Sequence, residues 1–475
     1  GNQRTNDPLP ISSPPPPLVT PAKERVKELL LGVVCDSVDY GIDGGFLMAE
    51  ARYLEADRKQ LRWDMVDLES QLPTDHRARI VWDFVGGLDL GPFYDRIGSR
   101  EDGAGRPPPD PRIFLALWLY ATLENMGSAR AVNRACVMDT AFRWLCGGVG
   151  MNYHGLSDFR VAHGDLLDRL LTESISALMA EGLVSLEEVV QDGTKVRAAA
   201  GRGSMVGEAG LLGYEKAARA RVHRLRAELE ADPATSERRG RAARARAASE
   251  VSERAGRARA TLEKLRREKE AAARTHKQAE SAKSERKVST TDPEARLMVF
   301  PDHGVAPGYN IQLAAAEWFI IGVETTDRRN DMGLAAPMVD QLAARYQRVP
   351  SRLVVDGKIA TRDEIIALGD HPKGRVDVYA PVPEARENIT PESRRKREWR
   401  RRKEPEPIKA WWARMESEEG QAAMKRRKRI ETLNGIVKNR GMGRMMVRGL
   451  DKVRCSVLLQ ALANNLMQAH RLRTV

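Results

Sequence analysis

Leu186-Glu-Glu-Val-Val-Gln-Asp192 reads as a short buried strand that closes on a carboxylate, and Arg352-Leu-Val-Val-Asp356 repeats the pattern. Two apolar runs of strand length, each ending in an aspartate, decide the fold class. Further strand runs follow at Tyr309-Asn-Ile-Gln-Leu313, Phe319-Ile-Ile-Gly-Val-Glu-Thr325 and Val376-Asp-Val-Tyr-Ala380. Helical patterns fit 333–346 and 360–368 between them. Strands mixed with helices indicate an α/β layer fold.

The segments flanking this core differ in character. Residues 63–182 read as a compact helical domain and a DNA-binding candidate. Pro107, Pro108, Pro109 and Pro111 close a loop before a run in which Ile113, Phe114, Leu117, Trp118, Tyr120 and Ala121 recur at helical spacing. Ser128 and Asp139 are natural caps for the next two helices, and Ser157 is expected to open another. Short helices joined by small turns suit a helix-turn-helix-like bundle, although many bundles without a DNA role look the same. Residues 211–287 are dominated by Arg, Ala, Glu and Lys. Ala248, Val251, Ala255, Ala258, Leu262 and Leu265 form a heptad seam, Val222, Leu225 and Leu229 an earlier one, and Asp232-Pro233 separates the two. A long helical hairpin inserted into the α/β domain is the expectation; a charged arm serving only solubility is the plainer reading. The α/β domain then comprises 183–210 and 288–475, and the Pro-, Ser- and Thr-rich start of residues 1–62 is expected to be disordered or irregular. Met48 offers a downstream start codon.

Three acids stand out chemically: Asp192, Asp356 and, within a late helix, Glu431. A carboxylate at a strand end of an open sheet faces the crevice where ligands bind. Three carboxylates meeting there repel one another, and hard divalent cations such as magnesium or manganese relieve the repulsion. Two such ions can activate a water or a 3′-hydroxyl and stabilise the leaving oxygen of a phosphodiester. Taken singly, each strand-end aspartate is as readily a turn former, and a helical glutamate as readily a solvated face. Arg427 lies four residues before Glu431 and Lys438 seven after, so all three share one helical face. Such cations would grip phosphates beside the acid; a plain Arg427–Glu431 surface ion pair is the alternative.

These segments resemble those of bacterial insertion-sequence DDE transposases. Asp192-Gly-Thr-Lys-Val-Arg197 is similar to the first catalytic segment of that group and Asp356-Gly-Lys-Ile-Ala-Thr-Arg-Asp-Glu-Ile365 to the second. The third reads Tyr-x2-Arg-x3-Glu-x6-Lys in the family; here Arg427, Glu431 and Lys438 keep the spacing, and Met424 stands at the tyrosine position. Val447-Arg-Gly-Leu-Asp-Lys-Val-Arg454 with Ala461-Leu-Ala-Asn-Asn-Leu466 resembles the closing helix of the group, and residues 108–163 resemble its N-terminal domain. The resemblance spans residues 63–475. It implies a ribonuclease-H-like catalytic core in which Asp192, Asp356 and Glu431 are catalytic and hold two magnesium ions, manganese being a substitute. It implies double-stranded DNA as partner, both as terminal inverted repeats and as target, with cleavage followed by strand transfer. A homodimer would pair two ends in a bacterial, nucleoid-associated setting. The acids are 164 and 75 residues apart, and a subgroup with a coiled-coil insertion after the first aspartate resembles that layout.

Cations elsewhere point the same way. Arg394–Lys403, interrupted by Trp399, reads as a DNA clamp in which Arg397, Arg400 and Arg401 contact phosphates, and Lys195 and Arg197 are further DNA-binding candidates. Trp399, Trp411 and Trp412 are candidates for stacking on an extruded base, though the last two read more simply as core anchors. Of the 475 residues, 78 are Lys or Arg and 66 Asp or Glu, so the formal net charge is +12 and an anionic partner is favoured. Hydrophobic residues make up 42%, enough for sizeable cores, while no run is long enough to span a membrane or to serve as a secretory signal. The four scattered cysteines form neither a disulfide framework nor a zinc cage, so a reducing, cytoplasmic setting is expected. His154, His163, His303 and His371 show no metal-ligand spacing. The competing assignments are a non-catalytic DNA-binding protein descended from a transposase, and a nuclease that cuts without joining.

Overall fold

The computed structural model describes residues 65, 67–98, 107–231, 238–275, 285–382 and 401–474, with residues 390, 392, 395 and 399 singly between them. The leader, residues 1–62, lies outside the described residues. Among the described residues, seven helices come first: α1 Arg77–Gly86, α2 Gly91–Asp95, α3 Pro111–Leu123, α4 Ala129–Met138, α5 Thr140–Cys146, α6 Tyr153–Ala162 and α7 Gly164–Ala180. Their ends follow the expected chemistry. Asp110 caps α3 by accepting from the Arg112 backbone N–H, with Pro111 as its first residue. Ser128 accepts from Ala131 and Asp139 from Ala141 and Phe142. Ser157 does not open a helix: Asn152 caps α6 by accepting from Gly155 at 2.7 Å, so Ser157 falls in its middle. The face of α3 toward its neighbours is not a stripe. Every residue from Ile113 to Leu123 is buried, so this is the central helix of the region.

The strands are β1 Glu188–Arg197, β2 Met205–Val206, β3 Val288–Ser289, β4 Arg296–Val299, β5 Val305–Ala316, β6 Phe319–Thr326, β7 Arg352–Val355 and β8 Asp377–Tyr379. One mixed sheet runs in the order β4-β5-β1-β7-β8, with β6 also paired to β5. The pairs β1–β5 and β5–β6 are antiparallel, whereas β1–β7 and β7–β8 are parallel. β1 is longer than its apolar run predicts. Antiparallel pairing to β5 continues from Val190 to Arg197 and carries the strand past Asp192, while the parallel partner β7 stops at Val355.

Between β2 and β3, α8 Glu208–Ala231 and α9 Arg238–Thr275 run in opposite directions. Arg259 grips Glu215 through two hydrogen bonds of 2.7 and 2.8 Å, and Arg266 reaches Glu208 at 2.7 Å. Leu211, Ala258, Leu262 and Val288 form a small cluster of their own at the base, where β2 and β3 close the arm. Helices α10 Ala335–Tyr346 and α11 Arg362–Gly369 separate the later strands. Then follow α12 Glu406–Glu416, α13 Glu418–Arg426, α14 Lys428–Val437, a π-helical turn at Lys438–Met442 and α15 Leu450–Arg473.

α15 joins sheet and helical region into one core. It is buried on nearly every side between Val453 and Ala469 and packs on β6, α7, α3 and α6. Its Asn465 behaves like a strand neighbour, accepting from the Ile320 N–H at 2.8 Å and donating to the Ile320 carbonyl at 2.7 Å. Asn464 donates to the Trp318 carbonyl at 3.0 Å. Two consecutive asparagines in an apolar helix thus satisfy the exposed edge of β6. Among the described residues no helix is long and apolar enough to cross a membrane.

Candidate active site

The last parallel pair between β1 and β7 is Gln191 with Val355. Asp192 and Asp356 are therefore the residues that follow this last pair on two neighbouring strands, whose backbones run ~4.8 Å apart. Asp192 is mid-strand, not at a strand end; what ends beside it is the parallel neighbour. The two aspartates feel each other. Burial pushes the Asp192 carboxyl up to about 6; the Gly193 N–H and the Arg427 guanidinium pull it down, and Asp331 and Asp356 push it up.

α14 covers this edge of β1 and β5. Ile430, Leu433, Asn434 and Val437 make its buried face, at the spacing of one helical stripe. Asn434 donates from Nδ2 to Asp192 Oδ2 at 2.9 Å, and its Oδ1 is buried without a hydrogen-bond partner. Lys438, one turn on, is half-buried; burial lowers its pKa and Asp192 raises it. Arg427, at the junction of α13 and α14, donates from Nη2 to Glu431 Oε1 at 2.7 Å. Glu431 is exposed. Its carboxylate faces Arg427, and among the described residues no three His, Cys, Asp or Glu side chains stand ready around a common ion.

The structure thus brings Asp192, Asp356, Arg427 and Lys438 together and leaves Glu431 at the rim in an ion pair. Lys195 and Arg197 lie further along β1, where Lys195 donates to the Val299 carbonyl at 3.2 Å and Arg197 pairs with Asp302 and covers the Phe300 ring. By strand alternation both point to the face opposite Asp192. Arg401 stands 4.6 Å over the Trp412 ring; Arg397 and Arg400 lie outside the described residues. Trp411 is an anchor, buried and donating to the Ala380 carbonyl at 3.0 Å, whereas Trp399 is 56% exposed.

Two residues of the site were not anticipated. Asn434 falls three residues after Glu431 and four before Lys438, so helical periodicity alone would have placed it on that face. Asp331 has no such local signal. Its Oδ1 accepts from Gln312 Nε2 at 2.6 Å and Asn310 Nδ2 at 2.7 Å, directly behind Gly193. A Cβ on Gly193 would lie 2.1 Å from that oxygen, so glycine is required after Asp192 for this close approach.

The donor set at the sheet edge is all oxygen, with a spare buried amide oxygen and surplus negative charge, which suits a hard divalent cation. Comparison with known proteins defines the class. Residues 66–161 match a family described as a transposase domain (DUF772), and residues 306–466 match the transposase DDE domain. The first match covers α1 to α6; the second carries Asp331, Asp356, Glu431 and Lys438, while Asp192 and the two-helix arm lie between the matches. The chain belongs to the DDE transposases of insertion sequences. No curated protein sequence and no solved structure matched it.

Proposed function

We propose that this transposase binds the terminal inverted repeats of its element as double-stranded DNA, cleaves them, and joins the 3′ ends to target DNA. The observation that carries this reading is the β1–β7 register, which sets Asp192 beside Asp356 under the cation-bearing helix α14. The order of three antiparallel strands with two parallel ones added beside the first supports a ribonuclease-H-like core. Asp192, Asp356 and Glu431 would hold two magnesium ions. When bound, such ions activate water or a 3′-hydroxyl and stabilise the departing oxygen.

The chain's own side chains do the rest. Asn434 fixes the rotamer of Asp192 through its 2.9 Å hydrogen bond. Lys438 and Arg427 hold phosphate oxygens flanking the scissile bond, the arginine in bidentate fashion once it releases Glu431. The residues of 63–182 grip the repeat, Arg401 with Arg397 and Arg400 clamps the backbone, and Lys195 and Arg197 contact it beyond β1. The arm within 211–287 is read as the coiled-coil insertion that organises a dimeric complex of two ends, in a nucleoid-associated protein. A strand-transfer assay on oligonucleotide ends with magnesium tests the reading: cleavage and joining are expected, and both should vanish in Asp192→Asn. Binding without either reaction identifies a non-catalytic DNA-binding protein, and cutting without joining a plain nuclease.

A further inference from the structure

Away from the aspartates, the seam between the helical region and the segment after α14 concentrates positive charge without a counter-ion. Arg160 on α6 is only 8% exposed. Its guanidinium lies 4.5 Å over the Trp118 ring, and its Nη1 donates to the Gly127 carbonyl. Its Nε has no hydrogen-bond partner, and neither has Nη1 of Arg440; both atoms are shut off from solvent. Arg160, Arg440 and Arg444 line one pocket, and no aspartate or glutamate lines it. Gln460 Oε1 is the single unpaired side-chain acceptor on its wall, so buried donors outnumber acceptors. Burial alone brings the Arg160 guanidinium down to about 10, and burial together with the charge of Arg77 lowers that of Arg440.

A buried charge without a partner is costly, and an anion is the natural relief. Size then decides which anion. The pocket holds about 50 Å³. One water needs ~10–15 Å³, so this space takes a few oxygen atoms: one tetrahedral oxyanion, not a base or a peptide. Guanidinium groups match phosphate in geometry as well as charge. Exposed residues form the mouth, with Met446 at 61% and Arg444 beside it, so an anion carried on a larger molecule can enter.

The location matters as much as the charge. The 438–449 segment is stitched to the end of β1, since Arg197 N–H donates to the Gly443 carbonyl at 3.2 Å and Met445 N–H to the Arg197 carbonyl at 2.7 Å. The turn at Gly441 has φ +91 and presses on Asn125 of the helical region, where a Cβ would sit 2.8 Å from Asn125 Oδ1. We infer that this seam binds a single phosphate group of the DNA backbone, held by Arg160, Arg440 and Arg444, and so locks the helical region to the segment leading out of α14. The inference rests on the reading of the protein as a DNA-binding transposase.

The test uses the full chain and two probes. Inorganic phosphate, compared with chloride at equal ionic strength, is expected to give a saturable rise in melting temperature. Arg440→Gln should lose that rise, and Arg444→Gln, altered at an exposed position, should weaken it. In duplex binding, Arg440→Gln should reduce affinity about equally for every sequence and lower the slope of log K against log salt by about one. If phosphate stabilises the wild-type chain no more than chloride, the pocket is not an anion site, whatever the DNA result. Phosphate-specific stabilisation with unchanged duplex affinity and slope would leave a free-anion site and overturn the backbone contact. A wild-type chain that binds no duplex sinks the DNA reading itself and with it the backbone contact, while the phosphate titration still decides the pocket.

Discussion

The two sides of the candidate active site are built on different terms. On the sheet side, Asp192 and Asp356 are set by strand register, backed by Val189, Val190, Leu353, Val354 and Val355, all 5% exposed or less. On the helix side, Glu431 is exposed and tied to one arginine on the same surface. A residue held by register cannot leave without breaking the sheet, whereas a helical glutamate changes partner by rotating its side chain. The sheet side therefore stores the electrostatic cost of the site, and the helix side supplies its adaptability.

The sharpest way to break this contrast is catalytic. Asp192→Asn and Asp356→Asn should each lower magnesium-dependent cleavage and joining of end oligonucleotides about a thousandfold or more, a loss of ~4 kcal/mol in transition-state stabilisation. Retention of a tenth of wild-type activity by either variant would show that the sheet-side pair is not the metal platform.

The next effect concerns stability and has the opposite sign. Asp192 titrates at about 6 in the folded chain against an ordinary value of 3.8. Above the folded value it is ionised in both states, and the folded state bears the burial and the repulsion, about 3 kcal/mol at neutral pH. As pH falls through 6 toward 3.8 the folded state takes up its proton first, and the penalty is relieved. Asp192→Asn should thus melt higher than wild type at pH 7 without divalent cations, with the gap closing toward pH 4. Thermal unfolding across that range checks it; a variant less stable than wild type at pH 7 would mean the carboxylate is structurally needed. Gly193→Ala should act on the same side with the usual sign. Its Cβ would sit 2.1 Å from Asp331 Oδ1 and 2.3 Å from Gln312 Nε2, and displacing that buried network should cost ~1–3 kcal/mol in a denaturant titration.

The same contrast explains what could be read from the sequence. The strands were legible because apolar runs of four to eight residues bounded by turn residues have few alternatives, and the caps at Ser128 and Asp139 because their side-chain oxygens act within three residues. Asp192 and Asp356 stood out as carboxylates beside such runs. Their adjacency required knowing that β1 and β7 are parallel neighbours, a pairing across the long interval that contains the two-helix arm. Asp331 was illegible for the same reason: its partners Asn310 and Gln312 lie on β5, and only the folded sheet brings them behind Gly193. Ser157 misled because a serine before an apolar stretch looks like a cap, whereas Asn152 offers the earlier and better-placed oxygen. Helical spacing foretold the Arg427–Glu431 contact, but periodicity does not say whether a glutamate will face its neighbour or a distant aspartate.

That last ambiguity supports the smallest and most discriminating prediction. The Arg427–Glu431 pair spans four residues, with side-chain exposures of 24% and 48%. Such a pair contributes ~0.3–0.5 kcal/mol, so a double-mutant cycle with Arg427→Met and Glu431→Gln should show a coupling below about 1 kcal/mol in denaturant titrations without divalent cations. Under the proposed metal set, the same Glu431→Gln should be as damaging to strand transfer as Asp192→Asn. Arg427→Met separates the two duties of the arginine. Freed from the ion pair, Glu431 should reach half-maximal activity at a lower magnesium concentration, while the affinity for duplex ends falls with the lost phosphate contact. A Glu431→Gln chain that is destabilised by more than about 2 kcal/mol, far above the worth of an exposed pair, would make the glutamate a structural support of α14. The helix side would then be as rigidly built as the sheet side, and the third ligand would have to come from another acid.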